Sequence, residues 1–152
     1  MERRRFLKTS GSIVIGITGI GQLISSCSKD KTCPMRTDQN GDNYVIDLNQ
    51  PANQVLSSVN GALKFDDVSG YALPVIVIRT SQTEVAAFSS VCTHAGCEID
   101  LPVNNTMLCS GPCGHDSQFN LSGENVSGPA PSPLEEIQAT LEGNQIILHL
   151  GS

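Results

Sequence analysis

Two cysteines and a histidine stand within six residues in CTHAGC (residues 92–97), and two more cysteines and a second histidine follow in LCSGPCGH (residues 108–115). The chain has 152 residues and six cysteines. Cys27 ends an apolar N-terminal run and Cys33 stands in a polar stretch, which leaves Cys92, Cys97, Cys109 and Cys113, with His94 and His115 sharing their loops. Thiolates and imidazoles at this spacing suit a borderline or soft metal, so zinc and an iron–sulfur centre are both open from residue types alone. Disulfide pairing without metal is the plain structural reading of the same cysteines. His149, alone near the C-terminus, reads as a surface or edge-strand residue, and Cys33 has no evident partner.

Two such loops need a frame to hold them, and the rest of the chain reads as β structure. The 14 Gly and 8 Pro, with only 4% aromatic residues, indicate many turns. YVIDL (44–48) is a short strand and GALKFDDV (61–68) alternates loosely. PVIVIRT (74–80) is a β-branched run that reads as a buried strand, making a hairpin with EVAAFSSV (84–91). IQATLEGNQIILHL (137–150) is two alternating runs around Glu142, Gly143 and Asn144, a strong hairpin signal. The region from Cys92 to about Pro133 is turn-rich, and no segment has a convincing helical period. The length suits one domain, placed at residues 44–152, with the two loops in a part of it spanning about 90–133.

Upstream, Arg3 to Arg5 and Lys8 precede a glycine-spaced apolar run from Ile13 to Ile24, the pattern of an export leader over residues 1–26. RRRFLK resembles a twin-arginine signal, with Arg3 and Arg4 as the pair; that route carries folded proteins, often with a metal cofactor already inserted. ISSC (24–27) resembles a lipoprotein cleavage box, with Cys27 as the lipidated residue and 27–43 as a flexible tether. The other reading is a retained leader, for which Thr9 to Ser26 is about the shortest length that could span a bilayer. Without residues 1–26, Lys plus Arg falls from 9 to 5 and Asp plus Glu from 15 to 14, so the net charge goes from −6 to −9. So acidic a surface argues against nucleic-acid binding and is compatible with docking on a basic partner such as a soluble cytochrome.

Cys-x-His-x-Gly-Cys, followed by a second cysteine–proline–cysteine and histidine box and then by GPAPSPL (128–134), resembles the Rieske iron–sulfur family. The resemblance runs from about Tyr44 to Leu150. It implies an all-β fold, a small antiparallel sandwich or barrel with a cluster-binding subdomain at its tip, and a 2Fe-2S cofactor. Cys92 and His94 match the first ligand pair, and Cys97 matches a cysteine that forms a disulfide with the second loop in respiratory members. The second box departs from the usual Cys-Pro-Cys-His, with residues inserted on both sides of Pro112 and Cys113. Keeping the order assigns Cys109 and His115 as ligands and Cys113 as the disulfide partner of Cys97; Cys113 as the ligand is the rival assignment.

Other positions follow from the same resemblance. Ser117 falls where relatives have a serine that hydrogen-bonds a cluster sulfide. Phe119 stands where higher-potential relatives have a tyrosine, so a lower potential is expected. Gly128 and Pro129 open the loop that covers the cluster, and Asp116 replaces a usual glycine. Two imidazoles in place of thiolates lift the potential by roughly hundreds of millivolts over all-cysteine ferredoxins. The implied function is one-electron transfer outside the cytoplasmic membrane. The protein would be an electron-transfer subunit rather than a stand-alone enzyme, serving a quinol-oxidising cytochrome bc-type or other oxidoreductase complex, or passing electrons to a cytochrome c-type acceptor. The reading from a different class is a structural module without redox activity, either zinc on Cys92, Cys97, Cys109 and Cys113 or a disulfide-stabilised lipoprotein.

Overall fold

The computed structural model describes residues 43–110 and 115–151, and residues 36–37 through their backbone. The leader, Cys27, Cys33 and Cys113 lie outside the described residues, which all fall within one unit, Cys33–Ser152.

Strands stand where alternation and β-branched runs place them: β2 (Asn43–Asp47), β3 (Ala62–Phe65), β4 (Val75–Arg79), β5 (Val85–Ser89), and the closing hairpin of β9 (Glu136–Glu142) and β10 (Gln145–His149). That hairpin turns on two residues, with Gly143 at a φ of +57°, where a glycine meets no Cβ penalty. A short β1 (Arg36–Thr37) pairs with β2, Arg36 opposite Val45 and Thr37 opposite Tyr44. The fold therefore begins before Tyr44 and takes in part of the segment expected as a tether. Backbone pairing at a sheet edge needs no apolar side chain, so polarity concealed it.

These strands form one antiparallel sheet in the order β1-β2-β10-β9-β5-β4-β3. Within β9, Glu136 and Ile137 pair with β5, whereas Gln138–Glu142 pair with β10. One strand thus serves two neighbours in succession and lets the sheet curl. A segment with no expected helix, Pro51–Ser57, forms a 3-10 turn that buries Leu56; proline at its start presets φ, and its length is too short to show a period.

Every residue of β4 is buried. Val75 and Val77 enter one apolar core with Ile46, Leu56, Phe65, Ala87, Ile137, Ile146 and Leu148. Ile76 and Ile78 enter a second core with Phe88, Ile99, Met107, Phe119, Leu134 and three cysteines, Cys92, Cys97 and Cys109. Burial on both faces is why VIVI reads as an unbroken apolar run rather than an alternation. The end of β4 is fastened by Arg79, whose buried guanidinium donates to the carbonyls of Ser81 and Gln82 across the turn to β5.

The turn-rich region holds a second sheet, β6-β7-β8, built of three-residue strands: β6 (Thr106–Leu108), β7 (Gln118–Asn120) and β8 (Asn125–Ser127). Asn104 and Asn105, both with positive φ, make the tight turn that leads into β6. Among the described residues no helix is long and apolar enough to cross a membrane.

Candidate metal centre

The first box is a closed turn at the exit of β5. The Cys92 N–H donates to the Cys97 carbonyl at 2.7 Å and the Gly96 N–H to the Cys92 carbonyl at 2.9 Å. Gly96 has a φ of +72°, which reverses the chain with no Cβ to obstruct it. Closure sets Cys92 and Cys97 opposite each other inside the second core and leaves His94 exposed at the tip.

The second box grows from the β6–β7 ladder. Leu108 lies opposite Gln118, and one step further the Cys109 N–H donates to the Ser117 carbonyl at 2.9 Å. Cys109 is thereby fully buried, while His115 is exposed. Asp116 follows with a φ of +56°, a left-handed conformation where the usual glycine would be easier.

The two boxes meet as unlike pairs. On the inside, Cys92 and Cys109 are buried free thiols of one apolar core. Burial, with the proximity of the Cys92 thiol and the charge of Asp100, pushes the Cys109 thiol above its ordinary range; the backbone N–H of His115, pointing at the sulfur, opposes this. On the outside, the His94 and His115 rings lie edge to face, centroids 4.4 Å apart at 84°. Cys97 is buried in the same core, and its expected disulfide partner, Cys113, lies outside the described residues.

GPAPSPL lies over both boxes. Thr93, between the two residues of the first pair, donates its hydroxyl to the Ser132 carbonyl at 2.8 Å. The buried Ser117 accepts the Ala130 N–H on its Oγ at 3.1 Å, so its own O–H has no acceptor among the described residues. Gly128, with a φ of +90°, packs so closely that a Cβ there would stand 2.5 Å from Ser117 Cα and 2.8 Å from the Asp116 carbonyl oxygen. Pro129 is exposed beside it. Phe119 is wholly buried and contributes no hydroxyl.

The donor types suit a binuclear centre with unlike ligand pairs. Soft thiols paired on one side and imidazoles on the other match two metal atoms in different ligand fields. The four-cysteine zinc reading needs Cys113, which lies outside the described residues. His149 is remote from this arrangement: on β10 its Nδ1 bonds Asn43 Oδ1 at 2.9 Å and its Nε2 bonds Thr140 at 3.1 Å. Residue types alone did not single out Asp100, which ties the two boxes together by accepting the Ser110 hydroxyl; an acid ten positions from its partner carries no periodic signal.

Comparison with known proteins identifies the family. The Rieske [2Fe-2S] domain model matches residues 52–138. The cytochrome b6-f complex iron–sulfur subunit of Chlorobaculum thiosulfatiphilum is 36% identical over 74 residues, covering 48% of this chain and 39% of that protein. The corresponding subunit of Gloeobacter violaceus is 37% identical over 84 residues, covering 54% and 44%. The chain thus spans under half the length of these curated relatives. Among solved structures, the ferredoxin of carbazole 1,9a-dioxygenase from Nocardioides aromaticivorans superposes with a TM-score of 0.50 over 69% of this chain and 93% of its own, at 23% identity, a likeness of fold.

Proposed function

The chain belongs to the Rieske [2Fe-2S] domain family, and from that membership we propose that it carries single electrons on the outer side of a cytoplasmic membrane, within or beside a quinol-oxidising complex of the cytochrome b6-f or bc type. Cys92 and Cys109 would hold one iron, His94 and His115 the other, and Cys97 would pair with Cys113. When bound, the cluster supplies a one-electron couple poised above that of all-cysteine ferredoxins.

The chain's own residues divide that work. The sulfur ligands are buried in the second core, where apolar neighbours exclude water and hold the thiol pair. The imidazole edges are exposed, so a partner can approach within a short electron-transfer distance. The His115 N–H stabilises charge on Cys109 sulfur, and the unspent Ser117 hydroxyl is a buried donor within the same loop. Thr93 and Ser117 pin the proline loop across both boxes, which fixes their separation.

The observation that carries this reading is the pairing of two buried free thiols of one core, Cys92 and Cys109, with two exposed and adjacent imidazoles. It favours Cys109 over Cys113 as the ligand. Export by the twin-arginine leader, lipid attachment at Cys27 and delivery to a cytochrome c-type acceptor belong to the same proposal, supported by RRRFLK, ISSC and the acidic balance of the exported part.

The test is electron paramagnetic resonance on the full chain exported by its own leader, as purified and after ascorbate, with iron and sulfide assayed on the same sample. A signal of low average g that ascorbate elicits supports the reading. A colourless, silent protein carrying zinc or no metal overturns it.

A further inference from the structure

Asp100 stands where the first box runs on towards β6, and it grips the residues on either side of Cys109. Its N–H donates to the Leu108 carbonyl at 2.9 Å, and its carboxylate accepts the Ser110 hydroxyl. Ser110 belongs to the stretch by which the second box departs from a tight Cys-Pro-Cys-His, so the added residue serves this contact.

The neighbouring acid gives the contrast. Glu98, two residues earlier, is met by Lys64 of β3, with Nζ 2.7 Å from its carboxylate oxygen. Asp100 has no cation among the described residues; its partners there are a hydroxyl and, through its backbone, a carbonyl. With Asp100 held by the hydroxyl of Ser110 and the carbonyl of Leu108, its carboxylate stands beside the Cys109 turn, where its charge works against further negative charge on that sulfur. A centre that gains an electron gains negative charge at that sulfur, and an uncompensated carboxylate alongside opposes it by Coulomb's law, less so as salt screens an exposed group.

We propose that Asp100 is a positioning residue of the metal centre: through Leu108 and Ser110 it clamps the Cys109 turn, and its uncompensated charge lowers the reduction potential. This rests on the reading of Cys109 as a cluster ligand.

The experiment is a redox titration of the full, cluster-loaded chain followed by paramagnetic resonance, with two substitutions that separate charge from clamp. Asp100→Asn keeps an acceptor for Ser110 and removes the charge. It should raise the reduced-to-oxidised ratio at a fixed ambient potential by about threefold or more, and the rise should shrink as ionic strength increases. Ser110→Ala keeps the charge and removes the side-chain half of the clamp; it should leave that ratio near the parent value while the cluster is lost at a lower temperature. Asp100→Ser, a shorter neutral residue, replaces Asp100→Asn should the latter fail to load, with the same expected rise. A parent that shows the Rieske-type signal while both neutral variants titrate with it overturns this inference alone. A parent with no such signal overturns the electron-transfer reading, and this inference with it.

Discussion

The core beneath the closing hairpin is made by strands mostly four to seven residues long, paired in register and contributing aliphatic side chains from alternate positions. The core beneath the histidines is enclosed by strands of three residues, by two loops and by a proline-rich cover, and three cysteines stand among its apolar side chains. In the first, hydrogen-bonded ladders fix the backbone and packing follows. In the second, single contacts do that work: Thr93 to Ser132, Ser117 to Ala130, Asp100 to Ser110. A region of the first kind tolerates changes that conserve volume, because many small terms share the load. A region of the second kind depends on a few atoms.

The sharpest break of this comparison is Cys109→Ser. Colour and iron should be lost completely, while the far-ultraviolet circular dichroism of the β fold stays near that of the metal-free parent. Retention of the cluster would transfer the ligand role to Cys113 and undo the assignment of the second box.

Next in size are paired truncations on the two faces of β4. Ile76→Ala and Val77→Ala should each cost about 2–4 kcal/mol in urea unfolding, since each leaves a cavity in a fully buried site. Ile76→Ala should lower the temperature at which colour fades more than Val77→Ala does. Equal fading would show that the two cores do not respond separately.

Gly128→Ala tests the cover. A Cβ 2.5 Å from Ser117 Cα, at a φ of +90°, forces backbone apart, and a loss of about 2–3 kcal/mol is expected. Faster release of iron to a chelator should accompany it; unchanged release would mean that the loop does not shield the site. The smallest effect is at Asp116, whose φ of +56° suits glycine better. Asp116→Gly should change stability by at most about 1 kcal/mol, in the stabilising direction, while raising the midpoint potential by removing a negative charge next to His115. A drop in the midpoint would contradict the electrostatic account.

The sequence made the first region plain for a physical reason. VIVI in β4 and the two alternating runs around Gly143 carry their burial in their spelling, because the period of a strand is two whatever surrounds it. The 3-10 turn at Pro51–Ser57, the two-residue β1 and the three-residue strands of the second sheet are shorter than any period can declare. Of the candidate centre, Cys92, His94, Cys109 and His115 were visible as residue types, and spacing grouped them. The separation into buried thiols and exposed imidazoles was not visible, since it arises from the closed turn at Cys92–Cys97 and from the ladder step that carries Cys109 inward. Contacts across 39 residues, as from Thr93 to Ser132, are set by the fold alone.

That β4 has no outward face limits how the molecule can be taken apart. Its odd and even residues belong to different cores, so a domain graft that lifts the two loops onto another scaffold must bring β4 and β5 along and will expose Val75, Val77 and Ala87 on the cut side. The redox tip is therefore not a transplantable cartridge. The smallest unit that can be exchanged intact is the sheet with its loops, and a chimera joined on either side of β4 should precipitate unless those three positions are repainted with polar side chains.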